Sequence, residues 1–128
     1  MSAAVAVCRA DEIGDGQARG FEVGRSRVVV IRRKDRFYAL HDVCPHRGAR
    51  LCDGVVGGTA LPSEVGIVRY GRDGEILRCP WHGWEFDVTN GRSLHDPDRQ
   101  RVRSYPVHVE GGQVFIGIRG GVTARSQG

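Results

Sequence analysis

Apolar and polar residues alternate over short stretches along most of this chain, and turn-forming glycine, asparagine or aspartate residues separate the stretches. Alternation over about four to eight residues is typical of a β-strand with one buried face. The strands predicted from this pattern span residues 5–8, 19–23, 27–33, 37–41, 76–79, 84–87, 92–94, 102–105, 107–110 and 113–118. No long stretch repeats its apolar residues with the period of a helix. The sequence therefore predicts an all-β fold.

The predicted strand over residues 27–33 is apolar without alternation. Its centre is the β-branched run Val28-Val29-Val30-Ile31. β-branched side chains favour strands, and a continuous apolar run of this length indicates a strand that is covered on both sides. We therefore expect this strand to be buried on both faces.

Residues 57–76 are predicted to contain an inserted hairpin. Residues 65–70 and 75–78 are its predicted strands, and Asp73-Gly74 lies at the tip of the predicted turn over 71–74. Asp-Gly is a favoured pair in tight hairpin turns. Because a hairpin keeps its two ends close together, it can be inserted without separating the segments on either side.

Length and composition limit the chain to one domain. With 128 residues, of which 40% are hydrophobic, it can bury one proper core and has no room for a second large domain. We predict a single domain over residues 1–118. Residues 119–128 are mostly small and polar, and we predict that they form a disordered tail.

The charge pattern does not favour nucleic-acid binding. The formal net charge is +4, but the basic residues are scattered and do not form a long run. The first residues have no basic region, and nowhere is there an apolar stretch long enough to span a membrane. We therefore expect a soluble, cytoplasmic protein without membrane association, and a monomer is favoured.

Two short stretches repeat one pattern of thiol, proline, imidazole and glycine: Cys44-Pro45-His46-Arg47-Gly48 and Cys79-Pro80-Trp81-His82-Gly83. A cysteine and a histidine from each of two loops supply four ligands for one metal site. Two thiolates and two imidazoles can hold a tetrahedral zinc ion, or a two-iron cluster with the thiolates on one iron and the histidines on the other. Zinc fingers usually take like ligands from one turn, whereas each loop here mixes a cysteine with a histidine.

The four cysteines offer a rival interpretation as two disulfides, which is weak for a chain without an export signal. If Cys44 and Cys79 are ligands, Cys8 and Cys52 remain. For Cys8, His95 and His108 we favour ordinary structural roles, as a small buried residue or as surface imidazoles.

At the two stretches the sequence resembles a known family, the Rieske [2Fe–2S] proteins, whose signature is Cys-x-His and, further on, Cys-x-x-His, with a glycine shortly after each histidine. The matching context includes Pro-Trp-His-Gly-Trp-Glu-Phe-Asp at 80–87. The resemblance implies one [2Fe–2S] cluster, with Cys44 and Cys79 on one iron and His46 and His82 on the other. It also implies three stacked antiparallel sheets with the two cluster-binding loops at one tip.

The chain departs from the family pattern between and within the loops. Residues 47–78 make the connection between the loops longer than in many soluble members, and the predicted hairpin accounts for the extra length. The cysteines that bridge the loops in respiratory and photosynthetic members are absent. Trp84 and Phe86 stand where high-potential members have a hydroxyl-bearing serine and tyrosine. We therefore expect a reduction potential near the low end of the Rieske range, about −150 to 0 mV.

The resemblance implies an electron carrier and not an enzyme, passing single electrons from a flavin- or NAD(P)H-dependent reductase to a terminal oxygenase. Two alternatives stay open: a Rieske subunit of a larger oxidoreductase, of the oxygenase or nitrite reductase type, and a zinc-bound structural module. An oxygenase would need another iron held by two more histidines and a carboxylate, and only isolated histidines remain. Arg47, Arg50 and Trp81 are either a docking face for an acidic redox partner or ordinary solvated side chains.

Overall fold

The computed structural model describes residues 2–44, 50–61, 69–80, 84–94, 100–119 and 124–126. Within these ranges the regular structure consists of strands and two single-turn 3-10 helices, over Ala10–Glu12 and Leu51–Asp53. The strands are β1 (Ser2–Arg9), β2 (Ala18–Val23), β3 (Ser26–Arg33), β4 (Arg36–His41), β5 (Val55–Leu61), β6 (Arg69–Arg78), β7 (Glu85–Asp87), β8 (Ser104–Tyr105), β9 (Val107–Glu110), β10 (Gln113–Arg119) and β11 (Ala124–Ser126). No helix in the described part of the chain is long and apolar enough to cross a membrane. The predicted all-β class is confirmed.

The strands form three antiparallel sheets. The first has the order β1-β10-β9, the second β11-β2-β3-β4-β8 and the third β5-β6-β7. Two separate cores of buried side chains draw on alternate residues of the second sheet. Because successive side chains of a strand point to opposite faces, the two cores lie on opposite faces of the second sheet, which is therefore the middle layer.

The first core joins the first and middle sheets, and the second core joins the middle and third sheets. The buried members of the first core are Val5, Ile13, Phe21, Val23, Val28, Val30, Ala39, Tyr105, Val114, Ile116 and Ile118. The buried members of the second core are Val29, Ile31, Leu40, Cys44, Leu51, Leu77, Cys79, Phe86, Val88 and Val102.

Strand β3 contributes to both cores. Val28 and Val30 belong to the first core, Val29 and Ile31 belong to the second, and all four side chains are 0% exposed. Neighbouring strands β2 and β4 pair with β3 along its two edges, so its backbone is covered as well. The prediction that this apolar run is buried on both faces is confirmed.

The hairpin of the third sheet differs from the predicted one. Strand β6 runs without interruption over Arg69–Arg78 and pairs with β5, so the predicted turn over 71–74 is wrong. The register shifts where Gly57 of β5 is opposite Ile76. Extra residues of β6 bulge out of the ladder there, and Gly74 takes a φ of +79°. The part of the predicted strand over 65–68 lies outside the described residues.

The C-terminal strand β11 also departs from the prediction. Ala124 lies opposite Val23 of β2, which makes β11 the edge strand of the middle sheet. The structure therefore contradicts the predicted disorder for Ala124–Ser126. An exposed strand edge offers unpaired backbone N–H and C=O groups to any nearby segment, so this pairing needs no apolar signal in the sequence.

Candidate metal centre

The two predicted cysteine ligands come from different sheets and meet in the second core. Cys44 follows β4 of the middle sheet after two residues, and Cys79 follows β6 of the third sheet directly. The two residues are 1% and 2% exposed, respectively, and both pack in the core that includes Leu51 and Leu77. The structure thus places the two thiols that were predicted to bind one iron in the same core.

The surroundings of these thiols suit a metal centre. A charged thiolate in an apolar core is unfavourable unless a cation or hydrogen bonds compensate it. A bound iron would supply that compensation, because cysteine binds a metal as the deprotonated thiolate. The donor set in this core therefore fits the implied cluster. His46 and His82 lie outside the described residues, so their place in the site stays a prediction.

The second ligand loop, residues 80–83, is closed at its base by a backbone hydrogen bond. The Cys79 N–H donates to the Trp84 carbonyl at 2.7 Å. One step further out, Arg78 of β6 and Glu85 of β7 pair across the strands, with Nη2 and Oε2 2.8 Å apart. The loop therefore starts and ends at adjacent points of the third sheet, which limits the movement of Cys79.

The first ligand loop, between Asp42 and Cys52, is closed at its base by the side chain of Asp42. The Asp42 N–H donates to the Arg27 carbonyl at 2.8 Å, which ties the start of the loop to β3. The Asp42 side chain is fully buried, and its Oδ1 accepts the Cys52 N–H at 2.6 Å. Asp42 was not predicted from the sequence, because aspartate commonly accepts hydrogen bonds from N–H groups a few residues away and this partner lies ten residues further along the chain.

The ends of the two loops are packed directly against each other at Gly54. This glycine follows the 3-10 helix over Leu51–Asp53, and its N–H donates to the Leu51 carbonyl at 2.9 Å. A Cβ on Gly54 would overlap the backbone carbonyl oxygen of Arg78, the residue before Cys79. Only glycine lets the exit of the first loop approach the entrance of the second so closely.

The residues predicted to form a docking face are only partly described. Arg47 and Trp81 lie outside the described residues. Arg50 is half-buried, and its Nε is fully buried. Arg50 is therefore part of the base of the first loop and not a fully solvated side chain.

The remaining cysteines, Cys8 and Cys52, are half-buried, and the structure joins none of the chain's four cysteines in a disulfide. Burial raises the pKa of Cys8 to about 11, and the charge of Glu12 adds to the effect. Burial also raises the pKa of Cys52 to about 12, with further contributions from a hydrogen bond to Asp42 and from its charge. A thiol with a raised pKa stays protonated near neutral pH and is a poor nucleophile.

We expect iodoacetamide to modify Cys8 and Cys52 slowly in the folded protein at pH 8. A pKa of about 11 leaves Cys8 with about 100-fold less thiolate than an ordinary cysteine. The time course of labelling, followed by peptide mass spectrometry, measures the rate, and the unfolded chain is the control. Equal labelling rates in the folded and unfolded protein would contradict the raised pKa values.

Comparison with known proteins agrees with the geometry. The model of the Rieske [2Fe-2S] domain family matches residues 3–106. The ferredoxin component of the alkene monooxygenase system of Xanthobacter autotrophicus is 33% identical over 113 residues, which are 88% of this chain and 80% of that protein. The ferredoxin of carbazole 1,9a-dioxygenase from Nocardioides aromaticivorans superposes with a TM-score of 0.69 at 29% identity, covering 88% of this chain and 95% of that one.

A second similar structure includes a partner. It is a chain from the complex of reduced oxygenase and oxidized ferredoxin in carbazole 1,9a-dioxygenase, with a TM-score of 0.68 and 28% identity. The match covers 88% of this chain and 91% of that chain. The similarity therefore extends over almost the whole length of the small redox proteins it involves.

Proposed function

Because this chain belongs to the Rieske [2Fe–2S] family and binds one cluster of that type, we propose that it carries single electrons from a flavin-dependent reductase to a terminal oxygenase. The observation that carries the proposal is the convergence of Cys44 and Cys79 in one apolar core. When bound, the cluster accepts and releases one electron at a time.

The chain's own residues would hold the cluster rigidly. Cys44 and Cys79 would bind one iron, and His46 and His82 would bind the other. The two cysteines follow strands of different sheets, and hydrogen bonds made by Asp42 and Cys79 close the loops at their bases. Electron transfer is favoured by ligands that stay in place when the charge changes, and this framework supplies such ligands.

Reconstitution tests the proposed role. The purified protein, an NADH-dependent flavin reductase and a terminal oxygenase are combined with the oxygenase substrate. We expect product formation to require this protein and to rise with its concentration until it saturates, as for a diffusible carrier. Product formation at the same rate without the protein would contradict the carrier role. A colourless protein with one tightly bound zinc would support the structural module instead.

The basic end of the middle sheet supports docking to an acidic partner. The carbonyls of Arg27 and Arg103 accept the N–H groups of Asp42 and His41, both at 2.8 Å, so these arginines flank the end of β4 that leads to Cys44. Arg103 and Arg25 are exposed and line one cleft of about 350 Å³. Positive charge at this end attracts an acidic surface and orients it toward the cluster loops.

We expect the rate of electron transfer to fall as ionic strength rises, and the variant Arg103→Gln to slow it about two- to five-fold at low salt. Arg103→Lys keeps the charge and is expected to keep the rate. Arg36→Gln, at the opposite end of β4, is the matched control. Stopped-flow oxidation of the reduced protein by the oxygenase measures the rate. An equal loss of rate in Arg36→Gln would contradict local docking at this end.

The environment of the second loop supports a low reduction potential. Phe86 is 0% exposed in the second core, Trp84 packs against the same core, and neither side chain carries a hydroxyl. Hydroxyl groups that donate to the cluster would stabilise its reduced form and raise the potential. We expect a midpoint of about −150 to 0 mV in a redox titration. A midpoint above roughly +200 mV would contradict this expectation.

A further inference from the structure

The base of the first loop contains a buried carboxylate that no part of the carrier function explains. Asp42 is 0% exposed, two residues before Cys44. A buried carboxylate is unfavourable unless hydrogen bonds satisfy it. Its Oδ1 accepts the Cys52 N–H at 2.6 Å, whereas Oδ2 accepts no hydrogen bond within the described part of the structure.

The hydrogen bond from Cys52 spans the whole first loop. Asp42 is fixed on β3 through its own N–H, which donates to the Arg27 carbonyl at 2.8 Å. Cys52 lies in the 3-10 helix over Leu51–Asp53, at whose start N–H groups have no partner within the helix. The Asp42 carboxylate therefore connects the strand before the loop to the helix after it.

A glycine of β2 makes room for this contact. A Cβ on Gly20 would lie 2.9 Å from Asp42 Oδ2 and 2.8 Å from Cys52 Sγ. Both distances are shorter than van der Waals contact, so any larger residue at position 20 would push against the two partners. Backbone from β2, the carboxylate of Asp42 and the helix at Cys52 are thus packed into one small volume.

The two loops are therefore closed in different ways. The second loop is closed by the backbone bond from Cys79 to Trp84, which no substitution can remove without changing the chain path. The first loop is closed by a side chain, and one substitution removes its hydrogen bond. We propose that Asp42 is a positioning residue for the cluster: by binding the Cys52 N–H it holds the two ends of the first ligand loop together and keeps Cys44 in place.

This inference rests on Cys44 as a cluster ligand and is independent of the identity of the redox partners. Removal of the acceptor should let the two ends of the loop, at Asp42 and Cys52, separate and should weaken the hold of Cys44 on iron. We expect Asp42→Ala to speed cluster loss to a chelator about 10-fold, because it leaves the partly buried Cys52 N–H without its acceptor. Asp42→Asn keeps an oxygen acceptor and is expected to stay within about three-fold of the wild type.

The experiment follows the visible absorbance of each cluster-loaded variant during a challenge with EDTA, together with hydrogen–deuterium exchange of the peptide that contains Cys52. Asp42→Ala should raise exchange in that peptide, and Asp42→Asn should not. Val114→Ala, in the first core, is the control for general loss of stability and should leave both readouts unchanged.

Two results would overturn the proposal: wild-type cluster loss in Asp42→Ala, or equally fast loss in Asp42→Asn and Asp42→Ala. If Asp42→Ala does not fold, Gly20→Ala provides the test, because its Cβ displaces the contact while Asp42 remains. Gly57→Ala, whose Cβ has nothing within 4 Å, is its matched control. Equal cluster loss in these two glycine variants would also overturn the proposal.

Discussion

Cys79→Ala should yield a protein without a [2Fe–2S] cluster, with iron and acid-labile sulfide falling from about two of each per chain to below about 0.2. Cys79 directly follows β6 and packs in the second core, and alanine supplies no thiolate there. Metal content, visible absorption and EPR of the reduced protein measure the loss. Because metal binding contributes to folding free energy, Tm should fall as well.

The matched control for this variant is Cys8→Ala. Cys8 is a half-buried thiol that packs against the first core, away from both predicted thiolate ligands. We expect Cys8→Ala to keep a full complement of iron and sulfide. Wild-type cluster content in Cys79→Ala, or an equal loss in both variants, would show that Cys79 is not a ligand.

Gly54→Ala should destabilise the fold by about 2 to 4 kcal/mol, because the new Cβ would overlap the Arg78 carbonyl oxygen. The atoms nearest to this Cβ are backbone atoms of Arg78 and Leu51, so no side chain can rotate to relieve the clash. The two loop ends must separate, and we expect cluster content to fall together with Tm. Thermal unfolding under anaerobic conditions and iron analysis measure the two effects.

Gly57→Ala is the control for the Gly54 variant. Both glycines lie close to or within β5, but a Cβ on Gly57 has nothing within 4 Å. We expect the free energy of unfolding of Gly57→Ala to stay within about 1 kcal/mol of the wild type. A Gly54→Ala variant as stable as Gly57→Ala would mean that the close approach of the loops is not required.

Local sequence patterns were sufficient to predict the strands that are specified by their own apolar side chains. The run Val28–Ile31 predicts burial on both faces because each residue is apolar, and the structure places each in one of two cores. The spacing of Cys44 and Cys79 relative to their histidines predicts a shared metal site, because ligand chemistry is a property of the side chains themselves. The structure places the two cysteines in one core, and the site as a whole stays a prediction.

The predictions were wrong where the conformation of a segment depends on the strand that pairs with it. A tight turn needs a glycine with positive φ, and Asp73-Gly74 provides one. A β-bulge can need the same kind of glycine. Only the pairing of β6 with β5 shows that Gly74 serves a bulge. Likewise Ala124–Ser126 carry no strand signal of their own and pair because the edge of β2 is available. Asp42 was missed because its hydrogen-bond partner, Cys52, lies beyond the loop.

The division of the interior into two cores has a consequence for how the protein is made. Both predicted thiolate ligands belong to the core beneath the third sheet, and neither belongs to the core beneath the first. The first and middle sheets can therefore associate before any iron arrives, whereas the third sheet closes over the ligands. We expect the first and middle sheets to be packed in the newly made chain, and the third sheet to be held firmly only once the cluster is bound.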